Sequence, residues 1–245
     1  MLEYVRAVLD LLVPSRCAGC RRDGVMLCDE CSALLGRPRR VRLAGHDAPP
    51  VYGLGRYRGP LRTALLEYKE RGRRELAGPL GQALAGGILE LGAATWLVPV
   101  PSRSSAARRR GGDHVRRLTD RAARALAAAD VPAAVAPALR LARGARDSVG
   151  LDAAARAANL AGRIRVRPTG LPPPGAGVVL VDDVVTTGAT AAACTAALAT
   201  SGVPVCAVLV LASAAPLLRT GDIRDHSVTV RRGGCTVESI TASQW

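Results

Sequence analysis

The sequence predicts an α/β fold, a mainly parallel sheet flanked by helices, behind a small N-terminal module built on four cysteines. Three observations carry this. Short apolar runs alternate with stretches of helical spacing along most of the chain, as parallel strands joined by crossover helices require. One run, Gly177–Val181, is continuously apolar, which suits a central strand buried on both faces. Close to the N-terminus two Cys-x-x-Cys pairs follow one another, Cys17-x2-Cys20-x7-Cys28-x2-Cys31.

A chain of 245 residues accommodates one ordinary domain with a small attached unit, here divided as 1–48 and 49–245. Phenylalanine is absent and aromatics make up 2%, so the core has to be built from Leu, Val and Ala, whose small volumes suit tight packing of helix on sheet.

The elements follow in order. Residues 3–13 have the spacing of a short amphipathic helix, and the cysteine module comes next. Arg37–Pro50 is basic, contains Gly and Pro and is aperiodic, and reads as a linker. Leu61–Lys69 and Glu75–Leu91 have helical apolar spacing, and Thr95–Val100 is a short buried strand. Val115–Ala129 places Arg on one face and Leu and Ala on the other. Ala133–Leu141 reads as a strand interrupted by Pro137. Arg143–Gly150 is a polar loop, Asp152–Leu160 a helix, Ile164–Val166 a brief strand and Pro168–Gly175 a turn. After Gly177–Val181 come a helix over Thr190–Ser201 and a buried strand over Val203–Leu211. The tail, Ser227–Ala242, alternates around Gly233-Gly234 as a hairpin does.

Each Cys-x-x-Cys pair makes a tight turn that points two thiolates at one place, and two such turns complete a tetrahedral site for Zn²⁺. Four protein ligands leave no open position, so Cys17, Cys20, Cys28 and Cys31 point to a structural rather than a catalytic metal. Two disulfides or four unrelated thiols are the competing readings. Cys194, Cys206 and Cys235 lie in apolar surroundings and read as small packing residues. No uncharged stretch of membrane-spanning length occurs, and the first residues lack a signal-peptide pattern, so a cytoplasmic, reducing location is expected.

The net charge is +14, and Lys69 is the chain's only lysine. Such a charge favours anionic metabolites or nucleic acid as partners, although an Arg-, Ala-, Gly- and Pro-rich composition also follows from GC-rich codons. The paucity of aromatics leaves little for base stacking.

The most informative segment is Val178–Thr190. A buried strand delivers Asp182 and Asp183 where ligands bind in open α/β sheets, at strand C-terminal ends. Val184, Val185, Thr186, Thr187, Gly188, Ala189 and Thr190 then lead into a helix, whose N–H groups and positive end suit a phosphate. Carboxylates that accept from sugar hydroxyls, next to a loop that holds an anion, together match a sugar phosphate.

This segment resembles the phosphoribosyl pyrophosphate (PRPP) motif of type I phosphoribosyltransferases. Joined to a four-cysteine ribbon, it is similar to the ComF/GntX family of competence-associated proteins. Further segments share the resemblance: Tyr57–Arg62, Tyr68–Arg73, Val98–Arg103, Arg108–Gly111, and Gly150-Leu151 with Arg156 and Asn159. Two places depart from it. Where the family continues Arg-Gly as Phe-Asn-Gln this chain has Gly112-Asp113-His114, and a glutamine before Gly-Leu is replaced near Ser148.

The resemblance implies a type I phosphoribosyltransferase fold and transfer of phosphoribosyl from PRPP to an acceptor, with a role in DNA uptake. Asp182 and Asp183 would be the catalytic pair that holds the ribose hydroxyls, and Thr186–Thr190 would hold the 5-phosphate. Ser102 and Arg103 would flank the pyrophosphate, with Lys69 and Arg143 or Arg146 adding charge and Mg²⁺ bridging ligand oxygens. Implied partners are PRPP, single-stranded DNA, and a competence helicase or recombination mediator. A transferase and a non-catalytic accessory protein that senses PRPP or binds single-stranded DNA both remain open. Arg108–Arg110 is a ligand contact or a solvated helix face, and His114 a proton carrier or a structural residue.

Overall fold

The structure, a computed structural model, describes residues 15–43, 49–92, 96–102, 112–142 and 163–218, together with the backbone of 225–231 and 234–240. The expected helices at 3–13 and Asp152–Leu160, and Arg103, Arg108–Gly111, Arg143, Arg146 and Ser148, lie outside the described residues.

In chain order the elements are α1 (Asp29–Ser32), β1 (Arg39–Arg40), β2 (Val51–Arg56), α2 (Gly59–Glu70), a 3-10 turn (Arg74–Leu76), α3 (Ala77–Glu90) and β3 (Trp96–Pro99). Then come α4 (His114–Ala127), β4 (Ala134–Val135), β5 (Leu139–Leu141), β6 (Ile164–Val166), β7 (Val178–Val185), α5 (Ala189–Ala199), β8 (Val205–Ser213), β9 (Asp225–Arg231) and β10 (Gly234–Ile240). The main sheet has the order β1-β2-β8-β7-β3-β4. Its pairings are parallel except at the edge, where β1 runs antiparallel to β2.

This order places a reversal between β3 and β7. The chain leaves β3 through α4 toward β4 on one side, and leaves β7 through α5 toward β8 on the other. A crevice opens at such a point beyond the strand C-termini, because the two connections diverge to opposite faces. The burial pattern agrees. Leu118, Ala122 and Leu126 of α4 join Leu80, Leu84 and Ile88 of α3 over one face of the sheet, with Leu97, Val179, Val181 and Leu209. Cys194 and Leu198 of α5 cover the other, with Val98, Val178, Leu180, Val208 and Val210. The fourfold spacing of the α3 and α4 residues is what lets each helix present one continuous apolar stripe.

Several expectations are corrected. Arg39–Arg40, within the stretch read as a linker, pairs with β2, with Arg39 opposite Gly53. Ala133–Leu141 is not one strand. Around Pro137 it divides into β4, at the edge of the main sheet, and β5, which pairs antiparallel with β6. Proline cannot donate to a ladder, so the chain changes sheets there. β7 continues through Asp182 and Asp183 to Val185 instead of ending at Val181. Cys206, read as a packing residue, is buried in β8 and is disulfide-bonded. The tail forms the expected antiparallel pair, β9 with β10. Among the described residues no helix is long and apolar enough to cross a membrane.

The cysteine module is docked on the sheet domain. Ala18 is buried within the main core cluster, and Met26, Leu27 and Leu35 pack against it. Buried Glu67 of α2 accepts from Arg21 of the module at 2.6 Å and from Arg71 at 2.7 Å, and Arg73 donates to the Arg16 carbonyl at 2.8 Å.

α3 and α4 approach closely at Gly81, where an added Cβ would come within 2.5 Å of Arg121 Cβ and 3.2 Å of the Ala122 nitrogen. Helix propensity alone favours alanine over glycine by about 1 kcal/mol. Packing should reverse that sign: Gly81→Ala is expected to lower the midpoint of chemical denaturation, and a raised midpoint would show that the two helices part without cost.

Candidate functional site

The β3/β7 crevice gathers residues from four separate elements. β7 supplies Asp182 and Asp183, α2 supplies Lys69, the N-terminus of α4 supplies Asp113 and His114, and the segment after β3 supplies Ser102.

Asp183 is its centre. Its carboxylate is buried, and Oδ2 lies 2.7 Å from Lys69 Nζ and 3.0 Å from His114 Nε2. Its Oδ1 accepts from the Val184 N–H at 2.9 Å. Burial alone would raise the Asp183 carboxyl; the His114 hydrogen bond and the Lys69 charge outweigh it and hold the group well below the usual carboxylate range. Asp182 is half-buried and accepts from the Asp183 N–H at 2.8 Å. Burial, and then the adjacent Asp183 charge, push its carboxyl well above the ordinary value, with Lys69 opposing.

The start of α4 is built for this site. Asp113 caps the helix, its Oδ1 accepting from Val115 and Arg116 N–H groups at 3.0 and 3.2 Å, as a short carboxylate at this position should. Its Oδ2 accepts from the Ser102 N–H at 3.4 Å, which ties the segment after β3 to α4. Tyr68, the neighbour of Lys69, donates its hydroxyl to the His114 carbonyl at 2.8 Å. Gly112-Asp113-His114 therefore forms the cap and wall of the crevice. His114 was left open between two roles by sequence; only the chain's path through space joins it to Asp183.

On the other side of β7, Thr186 and Thr187 are exposed, and Gly188 begins α5. Gly188 has a φ of +81° and would meet the Leu43 side chain at 2.5 Å if it carried a Cβ. The backbone conformation is what calls for glycine here, since the tip of the Leu43 side chain can move aside. Gly188 has no side chain with which to cap α5; Thr187 Oγ1 accepts from the Ala189 N–H at 3.5 Å, and the other first-turn N–H groups lack an intrahelical acceptor.

Cys17, Cys20, Cys28 and Cys31 offer sulfur atoms that all lie within 4.8 Å of one another. Cys17 to Cys28 and Cys20 to Cys28 are both 3.6 Å, near the roughly 3.8 Å edge of a tetrahedron with Zn–S bonds of about 2.3 Å. Burial would raise the Cys17 thiol, but N–H groups of Cys20, Cys28 and Gly19 bring it down to about 6; burial raises that of Cys31. The four could hold a metal such as zinc.

A cavity of about 880 Å³ lies elsewhere, between the cysteine module and the β2 edge. Arg37, Arg39, Arg56 and Arg58 line it with Glu90, and no residue of the Asp182–Thr190 segment does. Volume alone therefore does not locate the chemistry, which follows the charged groups at the switch point.

No protein-family model matches the chain, and no curated protein matches it in sequence. Among solved structures, a hypoxanthine phosphoribosyltransferase of Trypanosoma cruzi is 16% identical, covering 63% of this chain and 72% of its own, with a TM-score of 0.32. One from Staphylococcus aureus is 12% identical over 62% of this chain and 71% of its own, also at 0.32. Likenesses this distant carry no weight for activity; the α/β architecture rests on the topology above.

The two aspartates should respond oppositely to the same substitution. Asp183→Asn breaks a buried pair whose lysine is one-third exposed, and is expected to cost about 1–3 kcal/mol at pH 7. Asp182→Asn removes a charge that folding disfavours and is expected to raise the melting temperature. A raised carboxyl penalises the folded state only once pH exceeds the unfolded value of about 3.9, so the Asp182→Asn gain should shrink as pH falls toward 4. Melting curves at both pH values check this, and equal losses for the two variants at pH 7 would refute it.

Proposed function

We propose that this chain is a ComF-like phosphoribosyltransferase that binds PRPP in the β3/β7 crevice and transfers its phosphoribosyl group to a base-like acceptor. The observation that carries this reading is the meeting, at one switch point, of a glycine-gated threonine loop at a helix N-terminus with a buried aspartate under a lysine. One end of such a crevice suits a phosphate and the other suits hydroxyls and a diphosphate.

In this reading Thr186, Thr187 and Thr190 donate hydroxyls, and the N–H groups from Thr186 to Thr190 surround the 5-phosphate. Asp182 and Asp183 accept from the ribose hydroxyls. Lys69, Ser102 and Arg103 face the pyrophosphate. The bond from ribose C1 to the pyrophosphate oxygen breaks with its electron pair on oxygen, and an acceptor nitrogen bonds to C1 and loses its proton. The carboxylates lie where positive charge develops on the ribose ring, and Lys69 lies where negative charge leaves. Mg²⁺ would neutralise the leaving diphosphate. This ion would bind chiefly through substrate phosphates, as it usually does.

The four cysteines are assigned a structural Zn²⁺ that folds residues 1–48 as a ribbon against a catalytic unit of 49–245. Support comes from the sulfur spacing and from the burial of Cys17, Cys28 and Cys31 together, with Leu27 packed against them. A second reading, single-stranded DNA binding without turnover, draws on the arginine-lined cavity beside β2. Its described lining has no aromatic side chain on which a base could stack.

Calorimetry with PRPP and Mg²⁺ should show saturable binding, and Gly188→Val should weaken it at least about tenfold, in line with loss of more than ~1.4 kcal/mol. Pyrophosphate release with a panel of bases then separates transfer from binding. No PRPP binding, together with a salt-dependent shift of single-stranded DNA, would replace the leading reading with the second. Elemental analysis of purified protein should give one zinc per chain. Cys28→Ser should abolish it and lower the melting temperature; full stability without metal would remove the structural role.

A further inference from the structure

Two donors converge on a single oxygen of Asp183. Lys69 Nζ at 2.7 Å and His114 Nε2 at 3.0 Å both address Oδ2. They differ in access. The side chains of His114 and Asp183 are each 5% exposed, whereas that of Lys69 is 33% exposed. An incoming anion therefore meets Lys69 first, and a lysine ammonium on its flexible stem re-aims readily.

We infer that Lys69 and His114 compete for Asp183, so that a ligand phosphate which draws Lys69 away makes His114 take up a proton and hold the carboxylate in its place. The phosphate is the one assigned under the proposed function, and to that extent the inference rests on it.

The charge balance carries the reasoning. With Lys69 in place, one cation already neutralises one buried anion. A protonated His114 would then add a second buried cation, and its Nδ1 is a buried atom with no hydrogen-bond partner among the described residues. The neutral imidazole with its proton on Nε2 fits this arrangement, leaving Nδ1 bare. Once Lys69 turns to a ligand, Asp183 keeps only a neutral donor. A buried carboxylate without a cation costs more than one unpartnered N–H, so Nδ1 gains a proton from solvent and the pair becomes imidazolium and carboxylate.

The other charged groups around His114 do not take over this role. Tyr68, from α2, donates to the His114 carbonyl, and burial foremost raises its phenol to about 12, so it stays protonated. On α4, Asp113 is committed to the helix cap. Arg117 lies beside the Tyr68 hydroxyl and keeps its charge throughout. On β7, Asp182 is raised by burial and by Asp183 itself, which adds no cation. His114 is therefore a positioning residue for Asp183, and imidazole is a side chain that can change its charge.

The chain has only three histidines, so their ring protons can be followed individually by NMR. Lys69→Met removes the competing cation without any ligand, and should raise the His114 pKa by about one unit or more. An unchanged or lowered value overturns the inference. Calorimetry of PRPP with Mg²⁺ in buffers of different ionisation enthalpy supplies the second arm. Ligand phosphates titrate near pH 6 themselves, so the readout is the difference between wild type and His114→Gln. Glutamine keeps an N–H for Asp183 but cannot be protonated. Wild type should bind up to one more proton than the variant, while the variant keeps its affinity within about tenfold; equal proton counts overturn the coupling. A raised His114 pKa in Lys69→Met, together with no PRPP binding by the wild type, upholds the competition and sinks the proposed function instead.

Discussion

The Asp183 carboxylate is the point on which the crevice depends. It sits on the central strand β7, and its two engaged partners come from α2 and α4. These are the two helices that flank the entrance on one face of the sheet. A charge buried there is unfavourable alone, and it is tolerated only because a cation, an imidazole and a backbone N–H all address it. The same contacts fix where α4 begins. Tyr68 holds the His114 carbonyl, Asp113 caps the helix, and the cap's second oxygen reaches back to Ser102. Removing the central charge would therefore loosen three segments that otherwise share few direct contacts.

The cysteine module answers a different constraint. A unit of this size cannot bury much of an interior of its own. It borrows one, with Ala18, Met26 and Leu27 set against α2 and α3, and it is anchored by Arg21 on Glu67. Glu67 and Lys69 lie two residues apart on α2, so the helix that carries the site's only lysine also carries the module's main polar attachment. The ribbon thereby bears on the orientation of α2, and through it on the crevice.

Much of this was legible in the sequence where the signal is local. The continuous apolar run of β7, the threonine and glycine loop that follows, and the doubled cysteine pairs each act over a few residues, and each is found where its pattern places it. The misreadings have one physical origin. Arg39–Arg40 looks like linker because an edge strand of two residues has no period to detect. Pro137 was read as interrupting a strand, when it marks the change from one sheet to another. Neither Lys69 nor His114 could be tied to Asp183 from sequence, because the pairing joins residues far apart in the chain and depends on the strand order that places β3 beside β7. A lone lysine in an arginine-rich chain was the one available hint.

Gly112-Asp113-His114 shows how a short stretch can serve both fold and site. Asp113 caps α4 and ties it to Ser102, as a short carboxylate at that position can, and His114 gives Asp183 a donor. An asparagine and a glutamine at these two positions could make hydrogen bonds of the same kind. Imidazole differs in that it can change its charge while an amide cannot. A histidine here therefore keeps the geometry of the site and adds protonation chemistry, which places its consequences in binding and proton balance ahead of folding.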